Sequence, residues 1–159
     1  MNKIGILGGM GWHSTSIYYN KINTYINKNN EKDVTPEIII YSVNFKKILK
    51  YQNENNWDKI SEILKSKAIM IEKMGADFLV IASNTAHKVI EQIQDELSIP
   101  IISIVDVVGK SLRSNNIKKT GLLATKYLIN DGFYQEKLES DYDQQIIVPP
   151  SHEVEELNN

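Results

Sequence analysis

Residues 76–89, with the sequence ADFLVIASNTAHKV, carry the clearest fold signal of the chain. An apolar run of strand length at residues 78–82 ends abruptly in small polar residues, and a stretch of helical character begins at Ala86. Ser83 is the first residue after the apolar run. A buried strand that leads directly into a helix is typical of α/β proteins, so the stretch predicts a strand and a helix with Ser83 at their junction.

The same alternation of strand and helix continues along the chain in both directions. Apolar runs of strand length occur at residues 4–7, 37–41, 78–82, 101–105, 121–124 and 145–148. Between them, helical spacing places two groups of side chains each on one face: Tyr18, Ile22, Tyr25 and Ile26, and then Ile60, Leu64, Met70, Ile71 and Met74. Further helices are predicted at residues 86–97 and 127–138, the latter with a candidate break at residues 129–132. The nearly continuous apolar strands predict an α/β fold, a parallel sheet flanked by helices on both faces.

Ligands of such sheets bind beyond the carboxyl ends of the strands, where small polar residues cluster in this chain. The first strand leads into the glycine-rich segment of residues 8–11, and the third leads into residues 83–87. Two helix starts at one crevice offer free backbone amides and the positive ends of helix dipoles, which predicts an anion site. The candidate ligand-contacting residues are those that follow the strands: Met10, Gly11, Ser42, Asn84, Thr85, His87 and Thr125.

Other interpretations of these residues have less support. The spacing of Gly9, Gly11 and Ser14 lacks the third Gly or Ala of a dinucleotide fingerprint, and the loop lacks the Gly-Lys-Ser/Thr of a P-loop. Ser83 and His87 lack the Gly-x-Ser-x-Gly elbow of a hydrolase, and a serine before a helix is often only its cap. Three scattered histidines form no metal ligand set.

Composition narrows the range of functions. The 159 residues are 42% apolar and 24% charged, which suffices for an ordinary domain with a core. A net charge of -2 with scattered lysines gives no basic surface for nucleic acid. The sequence shows neither a signal peptide nor an apolar segment of membrane-spanning length, so we expect no membrane partner and a cytoplasmic protein. Cysteine is absent, which excludes disulfides and thiol chemistry within this chain.

Five segments taken together resemble the cofactor-independent aspartate/glutamate racemases. Their order and spacing cover nearly the whole chain, which makes the joint match far more specific than any single motif. The segments are IGILGGMGWHSTSIYYNKIN (4–23), IIIYSVNFKKI (38–48), MGADFLVIASNTAHKV (74–89), LSIPIISIVD (97–106) and GLLATKYLINDGFYQEKL (121–138). Trp12 and His13 depart slightly from the family, in which Pro or Ser-Trp is common after the glycines.

The resemblance implies an isomerase that removes the α-proton of an acidic amino acid on one face and returns it on the other, without pyridoxal phosphate. Such a site needs two facing acid/base groups and a hold on the α-carboxylate. Family members usually use two cysteines. Ser83 fills the first cysteine position, where some relatives carry Thr, and is the candidate catalytic residue; the Gly-Cys-Thr-Glu-like segment of the second cysteine is not present. The resemblance assigns the carboxylate site to Asn84, Thr85 and the amides near Met10 and Gly11.

The resemblance also implies two pseudo-symmetric α/β halves, since the motif at residues 4–8 is echoed at residues 120–124. Residues 1–110 would form the first half with the crevice loops. Residues 111–159 would begin a second half that is incomplete, so the chain looks truncated. An uncovered sheet edge and apolar helix faces favour association, and family members commonly pair, so we expect a homodimer.

Three functional hypotheses follow. The first is a racemase of aspartate, glutamate or a similar small acid, impaired in this form. The second is a racemase-like protein that binds a small carboxylate without turnover, which the absence of both thiols favours. The third is another enzyme on this scaffold, such as a maleate isomerase, a hydantoin racemase or an arylmalonate decarboxylase, although those also rely on cysteine. Cations for a side-chain carboxylate are limited to weak candidates: Lys46, Lys47 and Lys126.

Overall fold

A computed structural model describes residues 2–157, which divide after Ile102 into two compact units. Each unit has its own parallel sheet and its own hydrophobic core. The expected α/β class, with a parallel sheet flanked by helices, is confirmed.

The first unit is built on a four-stranded parallel sheet in the order β2-β1-β3-β4. β1 is central and entirely buried, because it has neighbours on both edges and helices on both faces. The elements in chain order are β1 (Ile4–Gly8), α1 (Trp12–Asn29), β2 (Ile38–Ser42), α2 (Phe45–Asn53), α3 (Trp57–Lys73), β3 (Phe78–Ile81), a 3₁₀ turn (Thr85–Val89), α4 (Ile90–Gln94) and β4 (Ile101–Ile102).

Alternate side chains of the strands enter two separate clusters, which explains why the strands are apolar along their whole length. Leu7, Leu79 and Ile81 pack with α2, α3 and α4 on one face. Ile4 and Ile6 pack with Tyr18 and Ile22 of α1 on the other. Gly5 is required by the close packing of α3, since a Cβ there would lie 2.5 Å from Cγ2 of Ile71.

The described part of the second unit contains a two-stranded parallel sheet and four helices, and each strand has a helix before it and a helix after it in the sequence. Its buried cluster comprises Val105, Leu128, Tyr134, Leu138 and Tyr142. The elements are α5 (Ile104–Ser114), β5 (Lys119–Gly121), α6 (Lys126–Asp131), α7 (Phe133–Tyr142), β6 (Gln145–Ile147) and α8 (Ser151–Leu157).

Several predicted elements have different bounds in the structure. The run at residues 101–105 is a strand only at Ile101–Ile102, because the Ser103 hydroxyl accepts from the Asp106 amide and starts α5. The strand predicted at 121–124 lies at Lys119–Gly121, where the chain pairs with Gln145–Ile147. The predicted helix over residues 86–97 begins as the 3₁₀ turn and ends at Gln94.

The predicted helix break is present, whereas two of the predicted apolar helix faces are narrower than expected. The break at residues 129–132 is confirmed, since Gly132 has a φ of 83° between α6 and α7. Ile60, Leu64 and Ile71 are buried as expected on α3. Tyr25, Met70 and Met74 are exposed, so the apolar faces of α1 and α3 are narrower than their spacing indicated.

Candidate functional site

The carboxyl ends of β1, β2 and β3 meet at one edge of the first sheet. Gly8 lies opposite Ser42, and Leu7 lies opposite Ile81. Two backbone bonds continue this alignment beyond the strands: Val43 N–H donates to Gly8 O at 2.9 Å, and Ala82 N–H donates to Leu7 O at 2.9 Å. The loops at residues 9–11, 42–44 and 82–84 are therefore neighbours, as the sequence predicted.

The first of these loops depends on glycine at two positions for different reasons. Gly9 has a φ of 87°, and a Cβ there would lie 2.5 Å from the backbone N and O of Val43. Gly11 has a φ of 89°, with nothing within 4 Å of a Cβ. Gly9 thus allows two loops to touch, whereas Gly11 leaves open space where α1 begins.

Thr15 anchors this loop from the first turns of α1, and sequence reasoning missed it. Its side chain is buried at 8% exposure, and its Oγ1 accepts a hydrogen bond from Gly9 N–H at 2.9 Å. A threonine early in an amphipathic helix gives no sequence signal of its own. The small residues at positions 8 and 9 are the only indication that a side chain packs there.

The start of α1 presents unpaired backbone donors to the crevice. Within residues 2–157, the structure pairs no acceptor with the N–H groups of Met10, Gly11, Trp12 and His13. The N-cap is a glycine without a side chain, and the first turn of this 18-residue helix carries no acidic residue that would compete for its dipole. The Trp12 and His13 rings stack beside it with centroids 3.7 Å apart.

The segment after β3 presents a second set of donors. The Ser83 hydroxyl accepts from Ala86 N–H at 3.4 Å, a long contact that caps the 3₁₀ turn only weakly. In the described part of the chain, the N–H groups of Ser83, Asn84 and Thr85 have no hydrogen-bond acceptor outside that turn. Because β1 and β3 are adjacent and parallel, the two sets of amides lie at the same sheet edge.

His87 holds the turn that carries Ser83. The imidazole is buried at 3% exposure, and its Nδ1 lies 2.8 Å from the Ser83 carbonyl oxygen. A carbonyl only accepts hydrogen bonds, so this contact places the proton on Nδ1. His87 therefore contacts the backbone of Ser83 and leaves the hydroxyl to Ala86, which does not match the serine–histidine contact of a hydrolase.

The other predicted site residues differ in burial and in their position relative to the strand ends. Met10 is buried in the core cluster with Val43, Ser42 is exposed at the end of β2, Asn84 is exposed and Thr85 is half-buried. Thr125 belongs to the second unit and lies at the N-cap of α6, four residues after β5 ends, instead of at the end of a strand. Lys46 and Lys47 are exposed in the first turn of α2.

Residues 2–157 contain neither a membrane-spanning helix nor a cluster of metal ligands. No helix there is both long and apolar enough to cross a bilayer. No three histidine or carboxylate side chains in this range come together as a metal-binding group would require.

Comparison with known proteins places the chain among amino-acid racemases. Residues 7–159 match the family model for Asp/Glu/Hydantoin racemase. The broad-specificity amino-acid racemase RacX of Bacillus subtilis is 33% identical over 142 residues, which cover 87% of this chain and 61% of RacX. The chain therefore spans less than two thirds of the length of that relative.

Solved structures give the same result. A candidate Asp/Glu racemase from Yersinia pestis is 32% identical and superposes with a TM-score of 0.94, over 99% of this chain and 69% of that one. An aspartate racemase homologue from Pyrococcus horikoshii is 38% identical, with a TM-score of 0.86 over 99% of this chain and 69% of that one.

Proposed function

The chain belongs to the Asp/Glu/hydantoin racemase family, and from that premise we propose that it binds an acidic amino acid and exchanges its α-proton without a cofactor. The substrate is aspartate, glutamate or a similar small dicarboxylate. The reaction is two-base α-proton transfer, in which Ser83 serves one face of the substrate. The turnover of this cysteine-free chain is impaired.

One observation carries the proposal: two sets of unpaired backbone amides lie at neighbouring strand ends, and Ser83 belongs to the second set. They belong to residues 10–13 and 83–85. Amide donors at helix starts attract a carboxylate, and they stabilise the charge that develops on it when the α-proton leaves. Asn84 and Thr85 add side-chain donors, while Ser42 stands on the adjacent rim. We assign His87 to the site through the backbone of Ser83. Thr125 belongs to the second unit, and its role in ligand binding stays a prediction from the sequence.

Impairment follows from the chemistry of Ser83. Proton abstraction requires a group that is ionised part of the time at neutral pH, and an alkanol hydroxyl is ionised far less than a thiol. The Ser83 hydroxyl can still donate to the substrate carboxylate or relay a proton through water. The same reasoning supports a second candidate function, in which the chain binds a small carboxylate without turnover.

Acidic specificity rests on the relatives more than on side chains of this chain. The structural relatives are described as Asp/Glu and aspartate racemase proteins, whereas RacX is described as having broad specificity. Lys46, Lys47 and Lys126 remain the candidate partners for a second carboxylate. We also propose that residues 1–110 and 111–159 correspond to the two family halves, and that the protein is a cytoplasmic homodimer.

The test is proton NMR of L-aspartate, L-glutamate and their D-enantiomers in deuterium oxide with this chain. Loss of the α-proton signal reports exchange, and line broadening reports binding. We expect broadening for at least one acid and slow exchange that a Ser83→Ala variant loses. Broadening with no exchange in either protein would support binding without turnover. No broadening and no exchange for any of the four would contradict both functions.

A further inference from the structure

Thr15 is a buried polar residue whose side chain contacts the glycine loop beside the proposed carboxylate site. Its Oγ1 accepts from the N–H of Gly9, six residues earlier, at 2.9 Å. Gly9 is buried like its neighbours Gly8 and Met10, so this bond supplies an acceptor to the N–H of a buried residue. A buried N–H without a partner is costly, so the bond fixes the orientation of the peptide between Gly8 and Gly9.

Packing reinforces this hydrogen bond. A Cβ at Gly8 would lie 2.4 Å from Oγ1 and 2.5 Å from Cγ2 of Thr15, so the threonine side chain rests directly on the Gly8 backbone. Threonine is branched at Cβ and stiff about χ1, and this rigidity holds both its hydroxyl and its methyl group in place. The first turns of α1 thus clamp the last residue of β1 and the first residue of the loop.

We propose that Thr15 is a positioning residue, which holds the glycine loop so that the amides of Met10 and Gly11 meet the substrate α-carboxylate. The inference rests on the proposed function, because it assigns those amides to the substrate. With the Gly9 N–H held by Thr15 and the Gly9 backbone pressed against Val43, the next two amides are the ones left without acceptors. Preorganised donors of this kind contribute most when they do not have to reorient during the reaction.

The test compares Thr15→Val with Thr15→Ser. Valine keeps the shape of the side chain and removes the acceptor, whereas serine keeps the hydroxyl. Thr24→Val is the matched control, since Thr24 is an exposed residue of the same helix. Two quantities are measured for each: amide hydrogen exchange of Gly9, and the affinity for L-aspartate and L-glutamate from line broadening. Denaturant unfolding identifies any variant that does not fold.

In Thr15→Val we expect the Gly9 amide to exchange at least about tenfold faster than in the wild type, at unchanged protection of the β1 core. Ligand affinity should fall on the order of 10- to 100-fold, because misplaced donors lose most of their value. Thr15→Ser should restore both quantities in large part, and Thr24→Val should change neither.

The proposal is overturned if Thr15→Val keeps both the Gly9 protection and the affinity of the wild type, or if Thr15→Ser fails as Thr15→Val does while still folded. Failure of the proposed function has a different signature. If wild-type protein binds none of the acids, the link from Thr15 to substrate falls with that function, whereas Gly9 exchange still decides whether Thr15 holds the loop.

Discussion

At the scale of single residues, the proposed reaction depends on the hydroxyl of Ser83. A cysteine thiol titrates at about 8.5, which leaves a few per cent of thiolate at neutral pH, whereas an alkanol lies above even the tyrosine value of about 10. In the proposed site Ser83 belongs to one of the two sets of amides, so we expect its surroundings to favour proton transfer more than its own acidity does. Replacing the oxygen by sulfur tests that distinction.

We expect Ser83→Cys to accelerate α-proton exchange of one enantiomer of aspartate or glutamate by on the order of 100-fold, the lower end of what a positioned base contributes. The rate should rise with pH through the titration of the thiol near about 8.5. Because no second thiol is introduced, exchange should exceed inversion of the α-carbon. Proton NMR in deuterium oxide measures exchange, and chiral chromatography measures inversion.

Ser66→Cys is the matched control, since Ser66 is an exposed residue of α3 whose hydroxyl donates a hydrogen bond to the carbonyl of Ile63. It adds the same thiol away from the strand ends. Equal α-proton exchange in both variants would mean that a thiol anywhere on the protein surface catalyses the exchange, and would contradict a base at position 83.

Ser83 and the glycine loop could be identified from sequence because each directly follows an apolar strand. Thr15 could not, because its role depends on a contact between a helix and the strand before it, which helical spacing does not reveal. The structural role of His87 was equally hidden. The sequence predicts it as a ligand-contacting residue after β3, yet its ring is buried against the Ser83 carbonyl.

At the scale of elements, the packing of α5 on α7 stabilises the second unit through one tyrosine. The Tyr142 ring covers Gly109, where a Cβ would lie 2.3 Å from ring carbons. Its hydroxyl donates to Asp106 Oδ1 at 3.1 Å, and the Arg113 guanidinium lies over the ring, 5.1 Å from its centroid. Lys137 Nζ lies 3.3 Å from the same Asp106 oxygen. Burial, and then the bond to Asp106, raise the pKa of Tyr142 above its ordinary value of 10.0.

We expect Tyr142→Phe to lower the free energy of unfolding by about 1 kcal/mol near neutral pH, the usual value of one lost hydrogen bond. A raised pKa means that the folded state favours the neutral phenol. The stabilisation is therefore complete below pH 10 and is lost as the pH rises through the folded-state pKa of Tyr142. Wild-type stability should fall more steeply above pH 10 than that of the variant. Denaturant titrations followed by far-UV circular dichroism measure both.

Tyr25→Phe provides the comparison, because Tyr25 is an exposed tyrosine of α1. That variant should keep the alkaline slope of the wild type. If Tyr142→Phe also kept it, the phenol would not be coupled to folding, and the Asp106 contact would contribute only packing.

Element boundaries show where apolar runs mislead. Ile104 and Val105 extend the run of β4, yet they begin α5 because Ser103 caps the helix, and this Ser-x-x-Asp start was visible in the sequence. The sequence predicts Leu122 and Leu123 as strand residues, but the strand ends at Gly121, followed by one further bond from Leu122 N–H to Ile147 O at 2.8 Å. Apolar runs in the sequence predicted the positions of the six strands. The ends of the strands could not be predicted in the same way, because hydrogen-bond pairing and helix caps determine them.

At the scale of the whole molecule, the second unit has a sheet of only two described strands, so each strand has one edge without a neighbouring strand. Two strands alone are marginally stable, and exposed edges favour pairing with another chain. Apolar side chains stand exposed around it, with Leu123 at 74% and Ile147 at 47% exposure. The chain also aligns with only 69% of each of two structural relatives.

This exposure leads us to expect a homodimer whose contact includes β6. Light scattering coupled to size-exclusion chromatography should give twice the chain mass at micromolar concentration. Ile147→Lys should shift the mass toward that of one chain, because a lysine on an edge strand opposes pairing. Met74→Lys adds the same charge at an exposed apolar residue of the first unit, and should leave the mass unchanged. A wild-type mass of one chain at every concentration would contradict the dimer, and equal dissociation by both lysines would place the contact elsewhere than on β6.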